Sequence, residues 1–465
     1  MKNADLFRHE DDFADFDRDR AVRHLSDAIA FETVGYIDIS RIDYGEFSAL
    51  HDYLRKSFPL VFGEDSSRVE KIGHSLLITL PGSDEGLKPA LFMAHQDVVP
   101  VIPGTEESWL HPPFSGDVAE GFIWGRGAMD IKQMLIGILE AAEYHLSHRR
   151  RFRRTVYLAF GEDEETRSRG AMAIADLLES RGVELEFVLD EGAGDVIEAS
   201  DYGAPGVCVC PIGIYEKGYA DLKLTVRAPG GHSSNPFNGT SLGILASAIA
   251  SILEHPLPPH LPDCLERTLR TLAPYAQSEP MATFLRDIDC HTEQILQWCR
   301  CQESLYHQVC TTAAPTQITP GSPAGNVMPG DMEAVINFRL APPDTPESLL
   351  AHCRRLADPR VELEFLQQIP PSRPSEVDSY GYRSLQGVLE RYFAPLLFIP
   401  AQNRGATDAR HYEKLCRCCL RFGPFLEEED ISAAGIHGTN ERISVRAYLQ
   451  GIRVLIKLME ETCLE

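Results

Sequence analysis

The sequence lacks the long apolar run that a membrane-spanning helix requires. No stretch of its 465 residues approaches about 18 consecutive apolar side chains. The segment 1–18 is dense in Asp and Glu and contains no apolar segment of the kind found in secretory signals. The sequence therefore predicts a cytoplasmic protein without a membrane partner.

Basic residues are also scarce relative to acidic ones. There are 44 Lys and Arg against 69 Asp and Glu, which gives a formal net charge of −25. An acidic surface repels phosphate backbones and anionic lipids, so we expect no nucleic-acid partner. Apolar residues make up 43% of the chain, which is ordinary for a folded protein, and the length predicts about two domains.

Cysteine is thinly spread, with 12 residues in the whole chain. Without a secretory signal, this usage favours reduced thiols over a disulfide framework. The cluster of Cys416, Cys418 and Cys419 could suggest a metal clip. No second Cys or His pair follows at the spacing of a zinc finger, so we interpret the cluster as structural thiols in a strand.

Strands alternate with helices through the first half of the chain. Apolar periodicity predicts helices within residues 19–57 and at 130–148 and 170–181, and strands at 75–82, 89–95, 122–127, 155–160 and 186–190. This alternation predicts an α/β fold with a mostly parallel sheet flanked by helices. In such sheets, functional groups gather beyond the carboxyl ends of the strands.

The pattern changes near residue 214, where a long alternating strand begins. Further predicted elements are a helix at 238–254, a stretch rich in helix formers at 256–305, strands at 332–340 and 361–366, and a helix at 346–356. This layout predicts a separate α+β domain inserted into the first one. Residues 369–379 have the composition of a linker back to the first domain.

Acidic residues and histidines mark several points where an apolar strand gives way to a polar loop. The set comprises His95, Asp97, Asp130, Asp163, Glu164, Glu165, Asp190 and His437. Two imidazoles and several carboxylates that converge in a fold can hold two divalent ions and a bridging hydroxide. Chemistry of that kind cleaves amides.

Each member of this set also has an ordinary interpretation. A histidine at a strand end is often a plain polar residue, Asp130 suits a helix N-cap, and an acidic run is usual in a solvated loop. The strand before residues 163–165 has the pattern of a buried strand, so these like charges need nearby cations or raised pKa values. Asp97 lies two residues after His95 on an extended segment, so it can orient the imidazole.

The inserted segment contributes two further candidates. His232, in GGHSSNP, is either a loop histidine or a group that stabilises a tetrahedral oxyanion. Arg339, in NFRL, either faces solvent or binds a substrate carboxylate through its planar guanidinium. The residues alone leave both pairs of interpretations open.

Eight motifs occur in order along the chain. They are LFMAHQDVVPV, PPFSGDVAEGFIWGRGAMDIK, LAFGEDEET, FVLDEG, GGHSSNP, GNVMP followed by NFR, GATDARHY and GIHGTNERIS. Together they resemble the dinuclear-zinc metallopeptidase family that includes aminoacylase, carboxypeptidase S, carnosinase and the N-fatty-acyl amino acid hydrolases. The resemblance covers roughly residues 20–460 and is strongest to the carboxypeptidase S and fatty-acyl amino acid hydrolase branch.

The resemblance implies a set of metal ligands at the matching positions. His95, Asp130 and Asp190 would ligate one metal ion. Asp130, Glu165 and His437 would ligate the other, with the Asp130 carboxylate bridging the two. Zinc is the first choice of metal, and cobalt or manganese would suit the same ligands.

The resemblance also implies roles for residues that do not bind metal. Asp97 would orient the metal-binding imidazole. Glu164 would be the general base that deprotonates the bridging water and later protonates the leaving amine. His232 would polarise the scissile carbonyl, and Asn326 and Arg339 would bind the substrate backbone and its free carboxylate.

The implied fold is a catalytic domain formed by residues 1–213 and 374–465, interrupted by a lid or dimerisation-type domain at 214–373. The implied activity is hydrolysis of an amide whose amine side is an amino acid with a free α-carboxylate. The substrate would be a dipeptide or, as the nearest alternative, an N-acyl or N-fatty-acyl amino acid, with hydrolase and synthase directions using one site. A non-catalytic metal-binding scaffold is a remote third interpretation.

The predicted lid is longer than its basic strand and helix layout requires, because of residues 256–305. An enlarged lid can replace a dimer partner, so the resemblance leaves open a homodimer or a monomer, with His232 acting in trans or in cis. The added stretch carries polar residues such as Gln297 and Arg300. This polarity favours a dipeptide or a short acyl group over a long fatty chain.

Overall fold

The chain folds into two compact units in the computed structural model, which describes residues 6–192, 194–236, 238–322, 324–403, 405–428 and 435–465. Unit 1 comprises Met1–Ile197, Cys208–Ile214 and Pro374–Glu465, and unit 2 comprises Glu198–Val207 and Tyr215–Arg373. Nothing in the sequence indicated that Glu198–Val207 would belong with unit 2. The assignment of the units to a catalytic and a lid domain stays a prediction.

The first part of unit 1 alternates short strands with helices. Its elements are α1 (Arg18–Ile29), α2 (Tyr44–Ser57), β1 (Arg68–Ile72), β2 (Ser75–Leu80), β3 (Ala90–His95), β4 (Val118–Ala119), β5 (Phe122–Trp124), α3 (Lys132–Ser147), β6 (Val156–Gly161), α4 (Arg169–Ser180), β7 (Phe187–Asp190), β8 (Ile197–Glu198) and β9 (Cys208–Glu216). Aspartates begin the first two helices, because Asp17 and Asp43 accept backbone N–H groups of the opening turns.

Unit 2 contains the middle elements of the chain. They are β10 (Gly218–Val226), β11 (Gly231–His232), α5 (Ser241–Glu254), α6 (Asp263–Leu272), α7 (Met281–Phe284), α8 (Thr292–Cys301), α9 (Glu303–Val309), β12 (Thr312–Thr319), β13 (Val327–Met328), β14 (Met332–Leu340), α10 (Pro346–Leu356) and β15 (Val361–Ile369). The stretch predicted to be rich in helix formers thus becomes four short helices, α6 to α9.

The C-terminal part of unit 1 completes its sheet and adds two long helices. Its elements are α11 (Tyr380–Tyr392), β16 (Leu397–Asn403), β17 (Cys419–Arg421), β18 (Arg442–Ser444) and α12 (Val445–Cys463). The Ser444 hydroxyl accepts the N–H of Ala447 and caps the start of α12.

The central sheet of unit 1 has nine strands, in the order β1-β2-β6-β3-β7-β17-β9-β16, with β8 paired to β9. The middle strands β6, β3, β7 and β17 are parallel, and the antiparallel pairs β1–β2, β2–β6 and β17–β9 flank them. Every residue of β3 is buried, as expected of a strand covered on both faces. The predicted α/β fold with a mostly parallel sheet is confirmed.

Unit 2 is built on a four-stranded antiparallel sheet with the order β12-β14-β10-β15. Alternate residues of β10 (Ala220, Leu222, Leu224 and Val226) face a core shared with α5 and α10. This alternation is the signal that the sequence showed. Edge strand β12 was not predicted, because six of its eight residues are exposed and its sequence carries no apolar period.

Two further observations concern the whole described chain. The twelve cysteines all lie in the described ranges and none forms a disulfide, and neither group of described side chains that could hold a metal ion includes one. No helix in the described ranges combines the length and the apolar character needed to cross a bilayer.

Helices α3 and α12 pack closely around one aromatic ring. A Cβ atom at Gly451 of α12 would overlap the ring of Phe425, and one at Gly137 of α3 would lie 3.0 Å from the same ring. The ring is buried and also stacks on Tyr448, with ring centroids 6.1 Å apart. Glycine is therefore required at residue 451 by packing rather than by backbone conformation.

We predict that Gly451→Ala destabilises the protein by about 1–3 kcal/mol, the usual cost of overfilling a core. The matched control is Gly387→Ala in α11, where a Cβ would meet no atom within 4 Å. This control should be neutral or stabilising by up to about 1 kcal/mol, because alanine is the better helix former. Urea denaturation of both variants measures the difference. Equal stability of the two would contradict the packing argument.

Candidate active site

The candidate site lies at the carboxyl ends of three neighbouring parallel strands. His95 is the last residue of β3 and pairs in register with Gly161, the last residue of β6. Asp190 is the last residue of β7, which pairs with β3 on its other side. The acids that follow β6 therefore emerge beside the imidazole, at the edge of the sheet where sequence analysis placed them.

Asp130 reaches this edge from a tight turn before α3. The turn is entered at Gly125, whose φ of +144° favours glycine and where a Cβ would lie 2.9 Å from the carbonyl oxygen of Pro113. Asp130 is buried, with 7% of its surface exposed. It is not the N-cap of the following helix, whose cap position is Ile131.

The Asp130 carboxylate lies between two imidazoles that come from distant parts of the chain. Its Oδ1 is 3.0 Å from Nε2 of His95, and its Oδ2 is 3.0 Å from Nε2 of His437. His437 Nε2 is also 3.1 Å from Oε1 of Glu165. One oxygen for each imidazole is the arrangement expected of a carboxylate that bridges two cations.

Asp97 fixes both the imidazole of His95 and the acidic loop beside it. Nδ1 of His95 donates to the backbone carbonyl of Asp97 at 2.9 Å, which directs Nε2 toward the carboxylates. The Asp97 carboxylate lies 3.4 Å from the same Nδ1. It also accepts the backbone N–H groups of Glu164 and Glu165, both at 3.1 Å. Asp97 thus positions three candidate residues at once.

A second compact group of donor atoms combines His95, Glu164 and Glu191. Oε1 of Glu191 lies 3.5 Å from Nε2 of His95. The Asp190 carboxylate instead accepts backbone N–H groups, from Glu191 at 2.9 Å and from Ala409 at 2.7 Å. Among the described residues, the two compact groups of donor atoms include Glu191 and not Asp190. The assignment of Asp190 as a metal ligand stays a prediction.

The electrostatics of the acids reflect crowding of like charge. Burial raises the pKa of Asp190 to about 6. Burial and the charge of Glu191 raise the pKa of Glu164 well above its usual range. Burial, together with the charges of Asp130 and Asp190, raises the pKa of Glu191 in the same way, against the opposing effect of His95. Burial and the proximity of like charges thus favour the neutral forms of these carboxyl groups.

The two imidazoles respond in the opposite direction. Burial would lower the pKa of His95, but Glu191, Asp130 and Asp97 outweigh it and raise this pKa well above its usual value. Hydrogen bonds to Asp130 and Glu165 raise the pKa of His437 to about 10. The side chain of His437 is 50% exposed, whereas that of His95 is 1% exposed, so the cluster opens to solvent on the His437 side.

The donor set fits divalent cations. The His95 imidazole forms one group with the carboxylates of Asp130 and Glu165 and a second with those of Glu164 and Glu191, with the donor atoms of each group within 4.8 Å of one another. Nε2 of His437 adds contacts to Asp130 at 3.0 Å and to Glu165 at 3.1 Å. Nitrogen and oxygen donors in this number suit zinc, cobalt or manganese. A divalent ion would replace the protons that otherwise hold these charges together.

Asp163, the first acid of the predicted run, has a structural role. Its Oδ1 accepts the N–H of Gly170 at 2.8 Å, and its Oδ2 pairs with Nε of Arg169 at 3.0 Å. The side chain therefore secures the first turn of α4. Asp163 is buried rather than solvated and has a structural role, while Glu164 and Glu165 face the candidate site.

The remaining predicted residues lie in unit 2. His232 is exposed on β11, which pairs with β13, and its Nδ1 accepts the N–H of Ser234 at 3.2 Å. Asn326 is exposed beside it, and its carbonyl accepts the N–H of Ser233 at 3.0 Å. Arg339 is exposed on β14, with its guanidinium 4.8 Å from the ring centre of Tyr219. Within unit 2, the two-stranded sheet of β11 and β13 thus places His232 and Asn326 close together.

Sequence analysis missed two acids of this edge. Glu191 follows Asp190 in FVLDEG, and Asp408 lies in GATDARHY. Asp408 is buried, and burial together with the charge of Asp190 raises its pKa well above the usual range. Both acids stand in motifs that carried the family resemblance, so the motifs themselves were the signal.

A largely parallel sheet with imidazoles and carboxylates at its carboxyl edge defines the class of metal-dependent hydrolases. The sequence profile of Peptidase family M20/M25/M40 matches residues 91–461. The chain is 34% identical over 456 residues to an N-fatty-acyl-amino acid synthase/hydrolase of Xenopus tropicalis, covering 97% of this chain and 87% of that protein. It is 32% identical over 466 residues to a probable carboxypeptidase S-like protein of Dictyostelium discoideum, covering 98% and 87%.

Solved structures show the same fold. An M20 family metallo-carboxypeptidase from Sulfolobus solfataricus superposes with a TM-score of 0.64 at 18% identity, covering 95% of this chain and 98% of the other. Human carnosine dipeptidase 1 superposes with a TM-score of 0.60 at 16% identity, covering 97% of both chains. This chain belongs to Peptidase family M20/M25/M40 and is a metal-dependent hydrolase, as the sequence motifs predicted.

The positions of Glu191 and Asp190 generate a prediction. Glu191→Gln should weaken metal binding by more than about tenfold, because even the loss of a residue that only supports a ligand costs that much. Asp190→Asn should bind metal close to normally. Equilibrium dialysis of chelator-treated protein against zinc measures both. Loss of metal from Asp190→Asn with retention in Glu191→Gln would contradict the geometry and favour the assignment made by resemblance.

Proposed function

We propose that this protein hydrolyses the amide bond of small substrates whose amine side is an amino acid with a free α-carboxylate. Two divalent ions, with zinc as the first choice, would serve the reaction. The observation that carries the proposal is the placement of the two oxygens of Asp130 against the two imidazoles of His95 and His437. A carboxylate shared in this way supports two cations rather than one.

The proposed ligands are shared between two ions. Asp130 would bridge them, His95 would serve one ion, and Glu165 and His437 would serve the other. The remaining carboxylate comes from the adjacent pair at 190–191, where geometry favours Glu191. When bound, the ions would polarise the scissile carbonyl and lower the pKa of a water molecule at the site.

Glu164 is the proposed general base. Its carboxyl group belongs to the compact group with His95 and Glu191, and its raised pKa suits a residue that takes a proton and returns it. The carboxylate would accept a proton from the attacking water and pass it to the nitrogen of the departing amine. Asp97 would hold Glu164 in place through the N–H contact at 3.1 Å.

Unit 2 is proposed to act as the lid, with domain boundaries near residues 214 and 373. His232 would stabilise the oxyanion of the tetrahedral intermediate, and Asn326 would bind the substrate backbone. Arg339 would bind the α-carboxylate through its planar guanidinium. Whether His232 acts within one chain or across a homodimer is left to experiment, and the chain is proposed to need no nucleic-acid or membrane partner.

The acyl side of the substrate separates two proposals. A dipeptide substrate would make the protein a carboxypeptidase S-like enzyme, in line with the Dictyostelium relative and with the polar stretch 256–305. An N-fatty-acyl amino acid substrate would make the protein an N-fatty-acyl amino acid hydrolase or synthase. The 34% identity with the N-fatty-acyl-amino acid synthase/hydrolase of Xenopus tropicalis favours this proposal. Both reactions share the amide chemistry derived above.

The proposed function is tested with a matched substrate panel. Glycyl dipeptides, N-acetyl amino acids and long-chain N-acyl amino acids are each incubated with zinc-loaded protein, with and without chelator. We expect the wild-type protein to cleave one set of substrates and chelator to abolish this cleavage. We expect Glu164→Gln to lower kcat by about 10²- to 10⁴-fold. Near-normal turnover by Glu164→Gln with metal retained would overturn the assignment of the base. No cleavage of any set by zinc-loaded wild type would overturn the proposed substrate class.

A second prediction concerns Arg339. Arg339→Ala should lower kcat/KM for free-carboxylate substrates by about 10- to 100-fold, the worth of a hydrogen bond to a charged group, and should leave amidated analogues unaffected. Arg227→Ala is the matched control, because Arg227 is an exposed arginine of the same unit that pairs with Asp331 at 3.4 Å and Glu362 at 3.3 Å. Equal losses on free and amidated substrates would contradict the carboxylate-binding role.

A further inference from the structure

Two segments far apart in the sequence must be brought together before Asp130 can contact His437. The first is the turn 125–130, and the second is the loop 437–441. In the second segment, both His437 and Asn440 have a φ of +65°, so neither residue has an ordinary extended or helical backbone. A buried group must hold this loop against the turn.

Glu441 is that group. Its side chain is fully buried, and its Oε1 accepts three backbone N–H groups of the turn, from Gly127 at 3.0 Å, Met129 at 2.8 Å and Asp130 at 3.2 Å. The backbone carbonyl of Glu441 accepts a fourth, from Gly125 at 2.9 Å. The whole turn that carries Asp130 is therefore bound to this one residue.

Arg126 links Glu441 to His437. Its Nη1 pairs with Oε2 of Glu441, and its Nη2 donates to the backbone carbonyl of His437 at 3.2 Å. Arg126 is 1% exposed, so both contacts are shielded from water. The guanidinium fork thus joins the Glu441 carboxylate to the residue that carries the second imidazole.

We propose that the Arg126–Glu441 pair is a positioning device that sets the distance between the Asp130 carboxylate and the His437 imidazole. It acts through its contacts with the backbone of both ligand-bearing segments. This inference rests on the proposed metal site. It assigns a role to the final Glu of the HGTNE sequence, which the proposed mechanism does not use.

The chemistry of the pair predicts which substitutions fail. In Glu441→Gln, the amide NH2 must face either the backbone N–H groups or the guanidinium of Arg126, and both are donors. In Arg126→Lys, a single ammonium replaces a planar fork and does not span the Glu441 carboxylate and the His437 carbonyl with the same geometry. Each change keeps side-chain volume close to that of wild type.

Glu143→Gln is the matched structural control. Glu143 is also a buried carboxylate of unit 1, and it accepts backbone N–H groups from Leu60 at 3.1 Å and Val61 at 2.8 Å. These contacts fix a loop that lies outside the candidate site. Glu143→Gln should therefore lower stability without changing the metal centre.

The experiment measures metal affinity and the visible spectrum of the cobalt-substituted protein for wild type, the two single variants, their double variant and the Glu143→Gln control. Glu441→Gln and Arg126→Lys are each expected to bind metal about 10- to 100-fold more weakly, the usual cost of losing a residue that orients ligands, and to shift the cobalt bands. The double variant should lose little more than either single one, because both act through one contact. Glu143→Gln should keep wild-type affinity and spectrum.

Wild-type affinity and spectrum in folded Glu441→Gln and Arg126→Lys, with only their melting temperatures lowered as in Glu143→Gln, would overturn the inference. It would leave the proposed function intact. Should Glu441→Gln fail to fold, Arg126→Lys alone decides between these results. Wild-type protein that binds no divalent metal would overturn the proposed function, and this inference with it.

Discussion

The structure depends on holding several buried carboxylates around two imidazoles at one edge of a sheet. Such a cluster opposes folding by itself, because burial raises the pKa values of Glu164, Asp190 and Glu191 and the neighbouring charges add to this effect. Divalent cations bound at this cluster would relieve the repulsion, and their binding energy would then contribute to the stability of the native state. Metal binding, stability and catalysis in this chain are therefore consequences of one electrostatic constraint.

The protein meets this constraint through backbone N–H groups bound to buried acids. Asp97 accepts the N–H groups of Glu164 and Glu165, and Glu441 accepts that of Asp130. The acidic residues whose side chains repel each other are thus held in place by hydrogen bonds to their backbone N–H groups, and the backbone carries no net charge. The acids proposed to bind metal and to act as the base face the site, while Asp97 and Glu441 position them through these backbone contacts.

Much of the fold could be predicted from the sequence, for identifiable reasons. Strand β3 and its neighbours are buried on both faces and so appear as short continuous apolar runs, and β10 alternates because one of its faces packs on helices. Edge strand β12 could not be predicted, because it is largely exposed and contains Pro315. The membership of Glu198–Val207 in unit 2 depends on tertiary contacts that leave no local pattern.

The candidate site also contains residues that could be predicted from the sequence and residues that could not. Asp130, His95 and His437 could be identified because strand ends and ordered motifs marked them. The resemblance assigned Asp190 as a ligand, and that assignment stays a prediction. The sequence did not indicate that Glu191 would also lie near His95, since adjacent residues point in different directions and the bend after β7 sets where each one lies. The positioning roles of Arg126 and Glu441 were also invisible, because they depend on contacts across more than 300 residues of sequence.

The most direct test of the account is an anomalous-diffraction map of crystals grown with zinc, recorded on both sides of the zinc absorption edge. The account predicts two zinc peaks per chain, one beside His95 and one beside His437, with the Asp130 carboxylate between them. A single peak, or two peaks that do not share Asp130, would contradict the central claim that this carboxylate bridges two ions.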